Sequence, residues 1–157
     1  MLETALFIPI MLSLLVGTVE LARIIDTYYM LQKSMFTLAR YLGTQQGVNF
    51  CDNQDPSIQA AINYTLTGAT DSSDNPTIPG LTPSMFQVRA ERYDPTTGQL
   101  SECDCSAAGC DASQGGLPPD FIAVSLTDGY TVQPLFWGFT VSLFQLRPGV
   151  RVPYGGT

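Results

Sequence analysis

Apolar residues crowd the first third of the chain, and their spacing changes partway along it. From Thr4 to Val19 sixteen residues carry no charge, with Glu3 and Glu20 at either end. They are apolar all round rather than along a stripe, which in a helix means burial on every side. As a helix the run is about 24 Å long, and with Met1 to Glu3 it approaches the ~20 residues that cross a bilayer core. Beyond it, Leu21, Ile24, Ile25, Tyr28, Leu31, Met35, Leu38, Ala39 and Leu42 recur at steps of three and four, with Arg23, Asp26, Lys33 and Arg40 on the other side. That is an amphipathic helix. No breaker separates the two halves, and glycine stops the pattern between Gly43 and Gly47. The spacing predicts one helix of about 45 residues, roughly 65–70 Å long. A domain of ~110 residues has a radius of gyration of about 13 Å, so part of this helix must project. The amphipathic half is expected to pack on the chain's own head. The first half must find lipid or copies of itself.

Three readings compete for that first half. A signal peptide needs a basic start and a small-residue cleavage site, and Met1 and Leu2 precede an acid instead. A plain membrane anchor would set Glu3 at or inside the apolar boundary. The third reading, a helix buried among copies of itself, is the one expected.

The head follows from shorter patterns. Asp55-Pro56 opens a second helix, with aspartate as cap and proline in the first turn. Ile58, Ala61, Ile62 and Leu66 share one face of it, and it ends by Gly68. Residues 69–83 have loop composition. Met85 to Tyr93 alternates as a strand with Phe86, Val88 and Ala90 on one side, and Asp94 to Gly98 makes a turn. Residues 101–119 form a second loop, rich in Cys, Gly, Ser and Pro. Further strands are predicted at Phe121–Leu126, Gly129–Gln133 and Gly138–Leu146, with Val150 to Val152 an edge piece between prolines. The predicted fold is α+β: a long N-terminal helix (residues 1–46) packed on a small antiparallel sheet in a head of residues 47–157.

Composition narrows the function. Seven basic residues against fourteen acidic give a net charge of −7, and Lys33 is the single lysine. Such a chain is a poor ligand for nucleic acid, and none is expected as a partner. Histidine is absent, which removes most zinc enzymes and the Ser-His and Cys-His nucleophile systems. No nucleophile–base pair or glycine-rich phosphate loop is visible, so neither an enzyme nor a cofactor site is expected. Asp71, Asp74, Asp104, Asp111 and Asp120 lie in loops without a calcium-loop frame and read as solvated acids. Asn63-Tyr64-Thr65 fits a glycosylation sequon, weakened by its place on the predicted second helix. Trp137, Phe136 and Phe139 beside Pro134, and Tyr28 and Tyr29, read as packing.

Cys51, Cys103, Cys105 and Cys110 make an even count in a secreted-looking chain, which favours two disulfides. Joining Cys103 to Cys105 would close a tiny ring. Cys51 therefore pairs with Cys103 or Cys105, and Cys110 takes the other. A four-cysteine metal site is disfavoured, because C-x-C-x4-C is not the usual zinc spacing.

Glu3-Thr4-Ala5-Leu6-Phe7-Ile8-Pro9, an acid followed six residues later by proline in an apolar run, resembles the opening of TadE-like pilins of the tight-adherence system, within the type IV pilin plan. Gly17-Thr18-Val19-Glu20-Leu21-Ala22-Arg23 resembles that family's next element, with Ala22 where glycine is usual. Ala39-Arg40-Tyr41-Leu42-Gly43 is similar to its helix end. Val132 to Phe136, Val141 to Leu143 and Arg147 to Pro153 resemble its final strands. The likeness covers residues 3–43 and, more loosely, 120–153. It implies a prokaryotic prepilin, held in the inner membrane and cut by a prepilin peptidase after a basic leader. Pilus assembly machinery would then build it into an extracellular filament on the cell surface. No leader is seen, so Met1 is expected to be the processed N-terminus. The runner-up is a monomeric, membrane-anchored component of the assembly machinery, a minor pilin.

The candidate subunit-interface residues are Met1, Glu3, Leu6, Phe7, Pro9, Leu12, Leu15, Val16, Glu20 and Arg23. An ionised Glu3 in an apolar layer is costly unless paired. The resemblance implies pairing with a neighbour's α-ammonium; the alternatives are lipid headgroups or its own helix N-terminus. Pro9 removes one backbone hydrogen bond and bends or loosens the helix. Glu20 and Arg23, three apart, form either an intrahelical pair or a bridge between subunits. Burying roughly 1,000 Å² of apolar helix at ~25 cal/mol/Å² outweighs subunit immobilisation in water. Transfer from lipid gains less, so assembly is expected to need machinery.

Overall fold

The long helix predicted from spacing is present as α1, Leu2–Thr44. The computed structural model describes residues 2–71, 75–105, 110, 115–132 and 144–156, with 2–6 and 144 described by backbone alone. The sequence-predicted features at Met1, Asp74, Asp111, Pro134, Phe136, Trp137, Phe139 and the first part of the 138–146 strand lie outside the described residues.

The second helix, α2, runs Pro56–Thr67. The Asp55 carboxylate accepts from the Ser57 N–H at 2.8 Å and also from the Asn49 N–H at 3.2 Å, so one side chain caps α2 and pins the incoming loop. Gly68 ends the helix at φ 82°, a left-handed conformation in which its N–H reaches the Tyr64 carbonyl. That ending needs glycine because a Cβ is strained there.

Six strands follow: β1 Phe86–Asp94, β2 Gln99–Glu102, β3 Phe121–Leu126, β4 Tyr130–Val132, β5 Phe144–Leu146 and β6 Gly149–Pro153. Four form an antiparallel sheet in the order β2-β1-β3-β6; β4 and β5 pair as a separate ribbon. In the sheet's register Val88 lies opposite Val124, and Val124 opposite Val150. Residues two apart therefore share a face, and Phe86, Val88, Ala90, Ile122, Val124 and Leu126 all turn inward.

The cover for that face comes from α1 and α2. Leu31, Met35, Leu38, Ala39 and Leu42 of α1 and Ile58, Ala61, Ile62 and Leu66 of α2 are buried against it. The chain end locks onto the same helix. Gly155 N–H donates to the Gly43 carbonyl at 2.9 Å, and the Tyr154 hydroxyl donates to the Gln45 carbonyl at 2.8 Å. The Tyr154 ring meets Phe50 edge-on at 5.8 Å.

Two disulfides, Cys51–Cys105 and Cys103–Cys110, staple the head, with Cα separations of 5.5 and 5.8 Å. The first ties the loop after α1 to the chain leaving β2; the second closes a short loop beside it. Together they account for all four cysteines.

Three expectations are corrected. The segment assigned to turn and loop around residue 100 contains β2, held by pairing of Gln99 to Glu102 with β1. Leu21, Ile25 and Tyr28 stay exposed; full burial of α1 begins at Leu31, while Arg23, Thr27 and Met30 line a cavity with Ile78, Met85 and Tyr130 of the head. Tyr28 and Tyr29 contact each other edge-on but both stay exposed rather than entering the core. Ile24 and Thr27, on the same side of α1 as Leu31, are half-buried, whereas Leu21, Ile25 and Tyr28 lie about 60–120° around the helix from it and face away.

Candidate assembly surface

The uncovered part of α1 is the notable surface of this molecule. Phe7, Ile8, Ile10, Met11, Leu12, Leu14, Leu15, Val19, Leu21 and Ile25 are all exposed, with Phe7 at 63% and Leu15 at 61%. At Leu31 exposure falls to 1%. Residues 7–30 thus form a stalk of roughly 36 Å at 1.5 Å per residue, longer than the ~30 Å hydrocarbon core of a bilayer. The helix is long and apolar enough to cross a membrane, and its most apolar window is entirely unburied. Monomeric soluble proteins rarely leave so large a contiguous apolar surface bare.

The polar groups in the stalk up to Arg23 are largely quenched locally. Ser13 donates its hydroxyl to the Ile10 carbonyl and Thr18 to the Leu15 carbonyl, both at 2.8 Å. Such back-bonding hides a hydroxyl from an apolar environment. Glu20 and Arg23 face each other across one turn at 3.2 Å, the intrahelical pairing among the two considered. Both are partly solvated, so the pair contributes a few tenths of a kcal/mol at most. Its more relevant effect is to cancel the first two charges after Glu3.

Pro9 lies inside the helix. Its missing N–H leaves the Ala5 carbonyl without a helical donor, one turn from the start of α1. Of the other candidate interface residues, Phe7, Leu12 and Leu15 are exposed and Val16 is half-buried. Met1 and the side chains of Glu3 and Leu6 lie outside the described residues. Leu21, Ile25, Tyr29 and Met30 extend the same bare surface. Sequence reading assigned the first two to the head; their exposure is a three-dimensional fact that periodicity alone does not carry.

The head offers less. Asp120 is structural: its carboxylate accepts from the Tyr93 N–H at 2.7 Å, and its carbonyl accepts from the Tyr154 N–H at 2.9 Å. On the outer sheet face Arg151 grips Glu91 through two contacts, Nη2 to Oε1 at 3.0 Å and Nε to the buried Oε2 at 2.6 Å. Arg89 pairs with Glu102 at 3.5 Å. Among the described residues no group of acids and cysteines is arranged to hold a metal ion. Comparison with protein-family models, curated proteins and solved structures finds no match. The likeness to TadE-like pilins therefore rests on the residues quoted for it alone.

Proposed function

We propose that this chain is the structural subunit of an extracellular pilus-like filament, polymerised through its N-terminal helix. The same helix would hold it in the inner membrane before assembly. The observation that carries the proposal is the bare apolar stalk of residues 7–30, continuous in one helix with the part packed on a disulfide-stapled head. Apolar side chains on every side of a helix need an apolar environment on every side. Lipid and copies of the chain both provide it, in sequence. The disulfides suit a non-reducing compartment, and the resemblance over residues 3–43 supports the same plan. A prepilin peptidase and assembly machinery are the partners that plan implies.

In this reading Glu3 sits at the start of α1 and pairs with a neighbour's α-ammonium, and Pro9 loosens the first turns for packing. Glu3→Ala should reduce incorporation into filaments while leaving the head folded. A second reading, a monomeric membrane-anchored component of the assembly apparatus, is favoured by the helix being long enough to span a bilayer. Electron microscopy of material sheared from producing cells separates the two. A regular fibre that reacts with antibody to the head supports the filament. Protein found solely as monomer in the membrane fraction overturns it in favour of the anchor.

A further inference from the structure

The face of α1 turned away from the head has its own pattern. Asp26, Tyr29, Lys33, Phe36 and Arg40 lie at i, i+3, i+7, i+10 and i+14 and are all exposed. Tyr29, Lys33, Phe36 and Arg40 each differ by two positions, about 200° of helix, from the head-facing Leu31, Leu38 and Leu42. The stripe therefore runs along the helix's back. Toward the N-terminus it continues through Ala22, Val19, Leu15, Leu12 and Ile8 at the same alternating steps of three and four, all likewise exposed. Apolar residues at such steps suit a helix packing lengthwise on another helix, and here Asp26, Lys33 and Arg40 put three charges into the same seam. Grooves flank Phe36 on both sides, one formed with Tyr29, Gln32 and Val150, the other with Arg40 and Tyr41.

The charges on the stripe suit a second copy. Among the described residues Asp26, Lys33 and Arg40 have no ion-pair partner. They cannot satisfy one another within one helix, since seven residues separate neighbours by about 10.5 Å. A parallel copy in register would set like on like. A copy displaced by one heptad sets Asp26 against Lys33 and Tyr29 against Phe36. The same shift lays Ile8 on Leu15, Leu12 on Val19 and Leu15 on Ala22. A displacement of two heptads pairs Asp26 with Arg40 but presses Lys33 onto Val19 and Asp26 onto Leu12. The one-heptad offset has two costs of its own. Lys33 meets Arg40, borne by two long side chains with access to water. Asp26 of one copy also meets Val19 of the other, one charge set on an apolar residue where the two-heptad offset sets two.

We infer that the back of α1 is a contact between copies of this chain, offset by one heptad, with Asp26 of one copy against Lys33 of the next and Tyr29 against Phe36. The inference rests on the filament reading and adds its register.

The test uses full-length chain in filaments sheared from producing cells. All native cysteines are in disulfides, so Asp26→Cys and Lys33→Cys introduce the free thiols. Within one helix these positions are too far apart for a disulfide, whose Cα atoms lie within ~7 Å. A ladder of oxidised multimers from the double variant, absent from each single variant, is the expected result. Asp26→Lys should cut filament yield about ten-fold, the equivalent of about 1.4 kcal/mol, and Asp26→Lys with Lys33→Asp should restore it. Filaments that give no 26–33 cross-link, or that tolerate Asp26→Lys, overturn the register and leave the filament standing. Failure of the unaltered chain to polymerise overturns both.

Discussion

Leu38 and Leu15 are leucines of one helix used in opposite ways. Leu38 is fully buried beneath the sheet, so Leu38→Ala should cost the head about 2–5 kcal/mol through lost burial and a cavity. Leu15 touches nothing of its own head, and Leu15→Ala should leave head stability within ~0.5 kcal/mol. Urea titrations of both variants in mild detergent, following the head, check the contrast. Tyr154 gives a pH prediction. Burial raises its hydroxyl above the ordinary value of 10.0, so the fold retains a proton that the unfolded chain releases. The associated stability is complete below pH 10 and is lost as pH rises through the folded value. Tyr154→Phe should lose the bond to Gln45, about 1 kcal/mol at pH 7. It should also flatten the decline in urea midpoint above pH 10.

Among the elements, α2 is the best specified by its own residues. Asp55, Pro56 and Gly68 mark its ends in the sequence, and its four buried residues follow from spacing. Asp55→Ala removes the acceptor for both Ser57 and Asn49. It should cost about 1–2 kcal/mol, with Asp55→Asn recovering most of it, by thermal unfolding. Strands β1 and β3 were equally readable, since alternation at 86, 88, 90 and at 122, 124, 126 needs only a one-sided sheet. Strand β2 was not. Gln99-Leu100-Ser101-Glu102 is short, polar and mostly exposed, and it exists because β1 offers it an edge. The boundary between stalk and head was hidden for a related reason. Ile24 and Ile25 are neighbours in one apolar pattern, and what distinguishes them is the face each presents: Ile24, seven residues from Leu31, is half-buried and Ile25 is exposed. The cysteine count implied two bridges, while the choice between Cys103 and Cys105 for Cys51 depended on how β2 leaves the sheet.

At the scale of the whole molecule the chain divides its hydrophobic surface into a part it covers itself and a part it leaves for others. The Cys51–Cys105 bridge guards the first part. It spans 54 residues, so the chain-entropy model gives about 4 kcal/mol, against about 2.5 kcal/mol for the seven-residue Cys103–Cys110 loop. Replacing the long pair with alanine should lower the melting temperature more than replacing the short pair. The second part is expected to be dispensable to folding. No described side chain from Phe7 to Met30 is buried, whereas the core contribution of α1 begins at Leu31. A chain starting at Met30 should therefore fold as a monomer without detergent. It should keep both disulfides and melt within a few degrees of the full-length protein. Sedimentation and calorimetry check this, and a truncated chain that aggregates or loses its transition would mean that the stalk stabilises the head it projects from.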